Sequence, residues 1–226
     1  FASTKFPSLG VTSVRAKFAD RETTRARLEN FKSRWSEIRS RLAEQLLPAD
    51  EIKKEFSLAK DDYILFLGRL VPEKGVHYLI EAFRGVKTDK RLVIAGGVSD
   101  SGDYAEGLKK AAEKDGRILF TGFVQGNLLA ELYSNAYVFV QPSDVEGMPL
   151  TLLEAMSCGN CCVVSDIPEC IEVAGDKAVS FPRGDVAALT ACLQDLCDDS
   201  GRVRSYKENT QAYVCQKYKW DEITEK

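Results

Sequence analysis

Two carboxylates, Glu146 and Glu154, bracket the stretch "GMPLTLL", and two cations, Arg69 and Lys74, bracket "LVPE" in an earlier loop. The acids surround what reads as the start of a helix, "LTLLEAM". A helix start leaves backbone N–H groups without partners, and the helix dipole behind them makes the place an anion site. Pro149 suits the first helical position, because its missing N–H would have had no partner there. Acids beside an anion site make sense if one ligand carries a phosphate for the helix and hydroxyls for the carboxylates, which are strong acceptors. A nucleotide sugar has that form, with a diphosphate between ribose and hexose. The plain alternative leaves Glu146 solvated and Glu154 paired with a surface cation.

Arg69 and Lys74 follow the apolar run "YILFL" and flank the start of the next helix. Two cations at the carboxyl end of a strand can clamp a diphosphate, Arg by its planar fork and Lys as a point charge. If that diphosphate departs, they stabilise charge that grows in the transition state. The alternative for either is a solvated surface charge.

The elements that must position these residues alternate. Apolar runs at "YILFL" (63–67), "RLVIA" (91–95), "RILFT" (117–121), "AYVFV" (136–140), "CCVV" (161–164) and "AVSF" (178–181) are separated mostly by helical stretches. Those stretches are "GVHYLIEAF", "YAEGLKKAAEK", "NLLAELYSN" and "LTLLEAM", and "DVAALTACLQDLC" follows the last run. Continuous apolar strands alternating with helices predict a doubly wound, Rossmann-like α/β domain with a parallel sheet covered on both faces. Such sheets bind ligands beyond the carboxyl ends of their strands, where "GRLVPEKG", "GGVSDSGD", "GFVQG", "QPSDVEGMP" and "SDIPE" gather.

Residues 1–56 read differently, as a charge-rich helical extension preceding a domain at 57–226. Leu28, Phe31, Trp35, Ile38 and Leu42 form one apolar stripe on a helix over 20–47, which Pro48 ends. Asp50 is placed to cap a short helix through "EIKKEF". The stripe either docks on its own domain or offers a surface for self-association.

With 226 residues, 44% hydrophobic and 29% charged, the chain can bury a sizeable core. A net charge of −3 without a basic run argues against nucleic acid. The apolar runs are strand-sized, and "FASTKFPSLG" lacks the apolar core of a signal peptide. Seven cysteines without framework spacing read as reduced thiols, and the expected place is the cytoplasm, with a peripheral position at a membrane left open. One histidine, His77, leaves no multi-histidine metal site; it lies in a helical pattern and reads as a surface or boundary residue rather than as the base of a Ser-His or Cys-His pair.

"GRLVPEKG", followed in order by "EGMPLTLLEAMSCG" and "SDIPE", resembles the C-terminal, nucleotide-sugar-binding half of the retaining family 4 glycosyltransferases, which have a two-domain GT-B fold. The resemblance spans roughly residues 58–226 and includes the closing "YKWDEITEK". It implies that Arg69 and Lys74, beside Gly68, neutralise the donor diphosphate. Glu146, the first acid of the Glu, seven residues, Glu motif, would meet hydroxyls of the transferred sugar, and Glu154 the ribose. Backbone N–H groups around Gly147, Met148 and Leu150 would contact the distal phosphate. Gly122, Phe123 and Val124 would meet the base, largely through main chain. The family needs no bound metal, and its acceptor attacks on the face that the nucleoside diphosphate leaves, with the phosphate as base.

Departures limit the likeness. Cys161 stands where the family often has proline, and Cys158 and Cys161 make a CxxC that reads as structural. Residues 1–56 are too short for the family's acceptor-binding domain, since a domain takes about 100–150 residues. The expectation is therefore a truncated chain, a subunit or a fusion that needs a missing domain or partner subunit. A reading of another class is a non-catalytic sugar-nucleotide-binding or assembly module. A GT-B epimerase or phosphorylase is disfavoured by the "EGMPLTLLEAM" stretch and the lack of a lysine-bound cofactor signature.

Overall fold

The computed structural model describes residues 47–98 and 102–217. The striped segment through Leu42 and the closing "YKWDEITEK" lie outside the described residues. Six strands, β1 (Tyr63–Leu67), β2 (Arg91–Ala95), β3 (Ile118–Gly122), β4 (Val138–Gln141), β5 (Cys162–Ser165) and β6 (Val179–Phe181), form one sheet. Their order is β3-β2-β1-β4-β5-β6 with every pair parallel, so the doubly wound, Rossmann-like α/β fold is what the chain adopts. The helices are α1 (Asp50–Phe56), α2 (Val76–Gly85), α3 (Gly102–Ala112), α4 (Gly126–Asn135), α5 (Leu150–Ser157), α6 (Pro168–Ala174), α7 (Val186–Asp198) and α8 (Ser200–Lys217). Among the described residues no helix is long and apolar enough to cross a membrane.

All five residues of β1 are buried, as a strand covered on both faces requires. Ile64 and Phe66, with Ile94, Val138, Val140 and Val163, join side chains of α2 and α7 in one apolar cluster. Alternation sends Tyr63 and Phe139 to the opposite face. There the Tyr63 hydroxyl donates to the Leu132 carbonyl at 2.7 Å, and the Phe139 ring lies 6.0 Å from that of Tyr133, both partners being on α4. Each such side chain fully buried contributes about 1.5–3 kcal/mol.

Three local features differ from the sequence reading. Asp50 lies inside α1 rather than capping it, and the cap comes from elsewhere: the Glu131 carboxylate on α4 accepts from the N–H groups of Glu51 and Ile52 at 2.8 and 3.0 Å. Residues 50–56, assigned by sequence to the extension, are thus bound to the sheet's helical layer. The "PE" of "SDIPE" starts a helix, α6, with Pro168 in its first turn. Helix α8 carries only Val203, Thr210 and Val214 as buried residues, too few to make an apolar stripe in the sequence. It packs on α5 and α7, and Lys207 ties it to the Asp61 carboxylate and the Ala136 carbonyl.

Glu131 is only 5% exposed and fills the place of a local N-cap. Glu131→Ala is expected to lower the unfolding free energy by about 1–3 kcal/mol, from a lost cap and two N–H groups left without that acceptor. Glu131→Gln, which keeps an acceptor oxygen, should lose less. Urea midpoints of the two variants check this; equal losses would refute the tertiary cap.

Candidate functional site

Strands β1 and β4 are neighbours in the sheet, with Ile64 opposite Val138 and Leu65 opposite Phe139. The chain leaves β1 through α2 toward β2 on one side, and leaves β4 through α5 toward β5 on the other. Their carboxyl ends therefore form the topological switch point, where such sheets open a crevice. The loops expected at the site, Gly68–Lys74, Gly122–Val124 and Ser143–Pro149, all lie at this edge of the sheet.

The β1 and β4 loops are pressed together. Gly75 has φ +67°, and a Cβ there would lie 1.9 Å from the Pro142 carbonyl oxygen. The Asp144 N–H donates to the Glu73 carbonyl at 2.8 Å, and the Tyr78 hydroxyl to the Asp144 carboxylate at 3.3 Å. This contact sets Lys74, the last residue of a 3-10 turn (Pro72–Lys74), beside Glu146: its Nζ lies 2.7 Å from each carboxylate oxygen. Glu146 is 8% exposed, which removes the alternative of a solvated surface acid.

Sequence reasoning missed two further members of the site. Ser143 Oγ donates to Glu146 Oε1 at 2.6 Å, and Gln141 Nε2 donates to the same oxygen at 2.5 Å. The available signal was a glutamine ending an otherwise apolar strand, because a buried side-chain amide needs partners.

The other expected residues are placed unevenly. Arg69 is on the same loop as Lys74 with its side chain exposed. Gly68 donates from its N–H to the Ala95 carbonyl at 3.0 Å, and Gly96 packs so closely that a Cβ on it would lie 1.8 Å from the Gly68 oxygen. Gly122 ends β3 with its carbonyl accepting from the Gly96 N–H at 2.8 Å, Val124 is buried, and Phe123 projects with 74% exposure. At α5, Pro149 is the N-cap rather than the first helical residue, with φ −78° and ψ 74°. These angles make an inverse γ-turn in which the Leu150 N–H donates to the Met148 carbonyl at 2.9 Å. The expectation that Leu150 presents an unpartnered N–H is thus corrected, while Gly147 and Met148 remain exposed ahead of the helix. Glu154 is 1% exposed, with Oε2 accepting from the Tyr133 hydroxyl at 2.8 Å, so it is not a surface acid.

Beside the Lys74 loop, His77 is half-buried, its Nδ1 2.8 Å from the Tyr104 hydroxyl and its ring centroid 3.9 Å from that of Tyr78, tilted at 45°. Burial holds the imidazole below its ordinary value of 6.5, partly opposed by Asp144 and Glu81. Burial also raises Asp144, partly opposed by the Tyr78 hydrogen bond. All seven cysteines are free thiols. Burial pushes Cys161 up to about 12, and Cys158 is raised too, so the CxxC holds no thiolate at neutral pH.

Residues 49–213 match the family described as glycosyl transferases group 1. The chain belongs to the group 1 glycosyltransferases. The match begins just before α1, which the fold also ties to the domain. This group 1 glycosyltransferase is 32% identical over 179 residues to the O-antigen chain mannosyltransferase B of Escherichia coli, an alignment covering 76% of the chain and 46% of the relative. It is 29% identical over 175 residues to the alpha-maltose-1-phosphate synthase of Mycolicibacterium smegmatis, covering 72% and 45%. Among solved structures, HepE from Anabaena in complex with UDP and glucose matches with a TM-score of 0.69 at 21% identity, covering 75% of this chain and 48% of that one. Sucrose-phosphate synthase from Thermosynechococcus elongatus matches with a TM-score of 0.68 at 27% identity, covering 78% and 46%. The chain thus spans about half the length of each of these relatives.

His77 supplies a pH test. Its folded value is depressed, so the native state binds fewer protons than the unfolded one as pH falls below 6.5. Its contribution is fully present above that value and is lost as pH falls toward the folded value. Urea midpoints measured from pH 7.5 down to 5 should decline more steeply in the natural chain than in His77→Gln; parallel profiles would refute it.

Proposed function

We propose that this chain binds a nucleoside-diphosphate sugar in the crevice between β1 and β4, as the donor half of a retaining glycosyltransferase. The observation that carries this reading is the Lys74–Glu146 pair, with a cation 2.7 Å from an acceptor at the switch point. In a nucleotide sugar the hexose is attached directly to the distal phosphate, so the two groups must be recognised side by side. Lysine has three N–H donors. Two face the oxygens of Glu146, and the third, which meets no acceptor among the described residues, is left for a phosphate oxygen.

On this reading Arg69 supplies the second charge, with Gly68 allowing close approach of the diphosphate. The backbone at Gly147 and Met148 faces the distal phosphate, and the loop Gly122–Val124 meets the base. Glu154 would take the ribose hydroxyls in exchange for that of Tyr133. As the bond from the anomeric carbon to the distal phosphate breaks, negative charge grows on the diphosphate, and the cations already in place stabilise it. The acceptor hydroxyl attacks on the same face, and its proton passes to the departing phosphate oxygen. No metal is called for in these steps. The acceptor side belongs to a further domain or a partner subunit, and turnover by this chain alone is expected to be low, because orientation and exclusion of water need both walls of the cleft. A mannosyltransferase among the relatives, and a solved neighbour captured with UDP-glucose, support this class of donor.

Calorimetric titration with UDP, GDP and ADP and their sugar conjugates is the test. Saturable binding to one diphosphate, altered by one sugar, is expected; no binding to any would overturn the reading. Lys74→Ala should weaken the diphosphates at least about tenfold, the scale of one charge-assisted hydrogen bond, and leave the free nucleoside unchanged. Equal loss for both ligands would remove Lys74 from the site.

A further inference from the structure

We infer that Gln141 and Thr151 form a positioning relay that fixes Glu146 and so sets how strongly the site favours the sugar of its donor. The inference rests on the reading of Glu146 as the carboxylate that meets that sugar. Gln141 is the last residue of β4 and is 1% exposed, so both ends of its amide must find partners within the protein. Its Oε1 accepts from the Thr151 hydroxyl at 3.0 Å. The Glu146 carboxylate can only accept, which decides that Nε2 is the end of the amide facing it. The Nε2 group is then left to donate, to Ser143 Oγ at 3.0 Å and to Glu146 Oε1 at 2.5 Å. Ser143, having accepted, donates its own hydroxyl to Glu146 Oε1 in a hydrogen bond of 2.6 Å. The Ser143 backbone is in turn held by Ser165 Oγ of β5, which donates to its carbonyl at 2.6 Å.

The two oxygens of Glu146 are therefore unequal. Oε1 collects Gln141, Ser143 and Lys74, more donors than a carboxylate oxygen has lone pairs. Oε2 accepts from Lys74 and, among the described residues, from no other group. Oε1 is the anchor, and Oε2 keeps the capacity to accept a hydroxyl from a ligand. Lys74 alone could not fix the carboxylate, because its four-carbon stem is flexible. Gln141 and Thr151 connect it instead to a strand in the middle of the sheet and to the first turn of α5. Thr151 acts through Gln141, to which its hydroxyl donates.

The test uses the 226-residue chain and calorimetry with UDP, UDP-glucose, GDP and GDP-mannose. The readout is the affinity for each sugar conjugate divided by that for its diphosphate, in chains whose urea midpoints show them folded. Thr151→Val keeps the shape and removes the hydroxyl; Gln141→Leu removes the amide. Both should reduce the ratio for the preferred sugar about fivefold to tenfold, the scale of one lost hydrogen bond, while affinity for the diphosphate alone changes less than twofold. Thr151→Ser restores the hydroxyl and should keep the natural ratio. An unchanged ratio in Thr151→Val, or an equal loss in Thr151→Ser, overturns the relay with the donor site intact. Failure of the unsubstituted chain to bind any of the four ligands overturns the donor-site reading, and the relay with it.

Discussion

The site depends on one close approach between two loops. The backbone of Gly75 lies against the Pro142 carbonyl, at a separation and a positive φ that a side chain would not allow. That contact and the Asp144–Glu73 backbone hydrogen bond draw the loops after β1 and β4 together. Without it, Lys74 and Glu146, which are far apart in sequence, would be two charges on separate loops. With it, they are a buried pair at the place where the sheet's winding reverses.

A buried ion pair is weak evidence for stability, because the desolvation of both charges offsets most of their attraction. Its value here is positional. Lys74 and Glu146 are only 17% and 5% exposed at their side chains, and without Lys74 the Glu146 charge would keep only the neutral donors Gln141 and Ser143. On the proposed reading, a phosphate and a sugar hydroxyl would arrive together, an anion for the third N–H of Lys74 and a donor for Glu146 Oε2. The same burial makes the surrounding polar groups consequential, since every donor that reaches Glu146 comes from a residue held by the sheet or by a short tight loop.

Membership of the group 1 glycosyltransferases and a chain spanning about half its relatives fit this arrangement. On the proposed reading, the crevice at the ends of β1 and β4 is the wall that holds the donor. The chemistry of transfer calls for a second wall that carries the acceptor. On the proposed reading, the charges, acceptors and backbone turns of a donor wall lie together at the ends of β1 and β4, and this is why binding rather than turnover is the property to measure.

The sequence by itself determined the sheet, the alternation of strands and helices, and the residue types at the crevice. Continuous apolar runs such as "YILFL" leave no surface-facing side, and glycine- and proline-rich segments mark the strand ends. Those signals are local, and local physics suffices to read them. The polar stripe-less helix α8 and the capping of α1 by Glu131 were not legible, because each exists only through contacts distant in sequence. The same holds for the turn at Pro149, which occupies the Leu150 N–H, and for the burial of Glu154 against Tyr133. Only the tertiary structure decided that Glu146 binds Lys74 and is anchored by Gln141 and Ser143. The reason is physical: spacing along a chain fixes which face of an element a residue occupies, whereas hydrogen-bond partners across a sheet are fixed only when register and loop packing bring their atoms within about 3 Å.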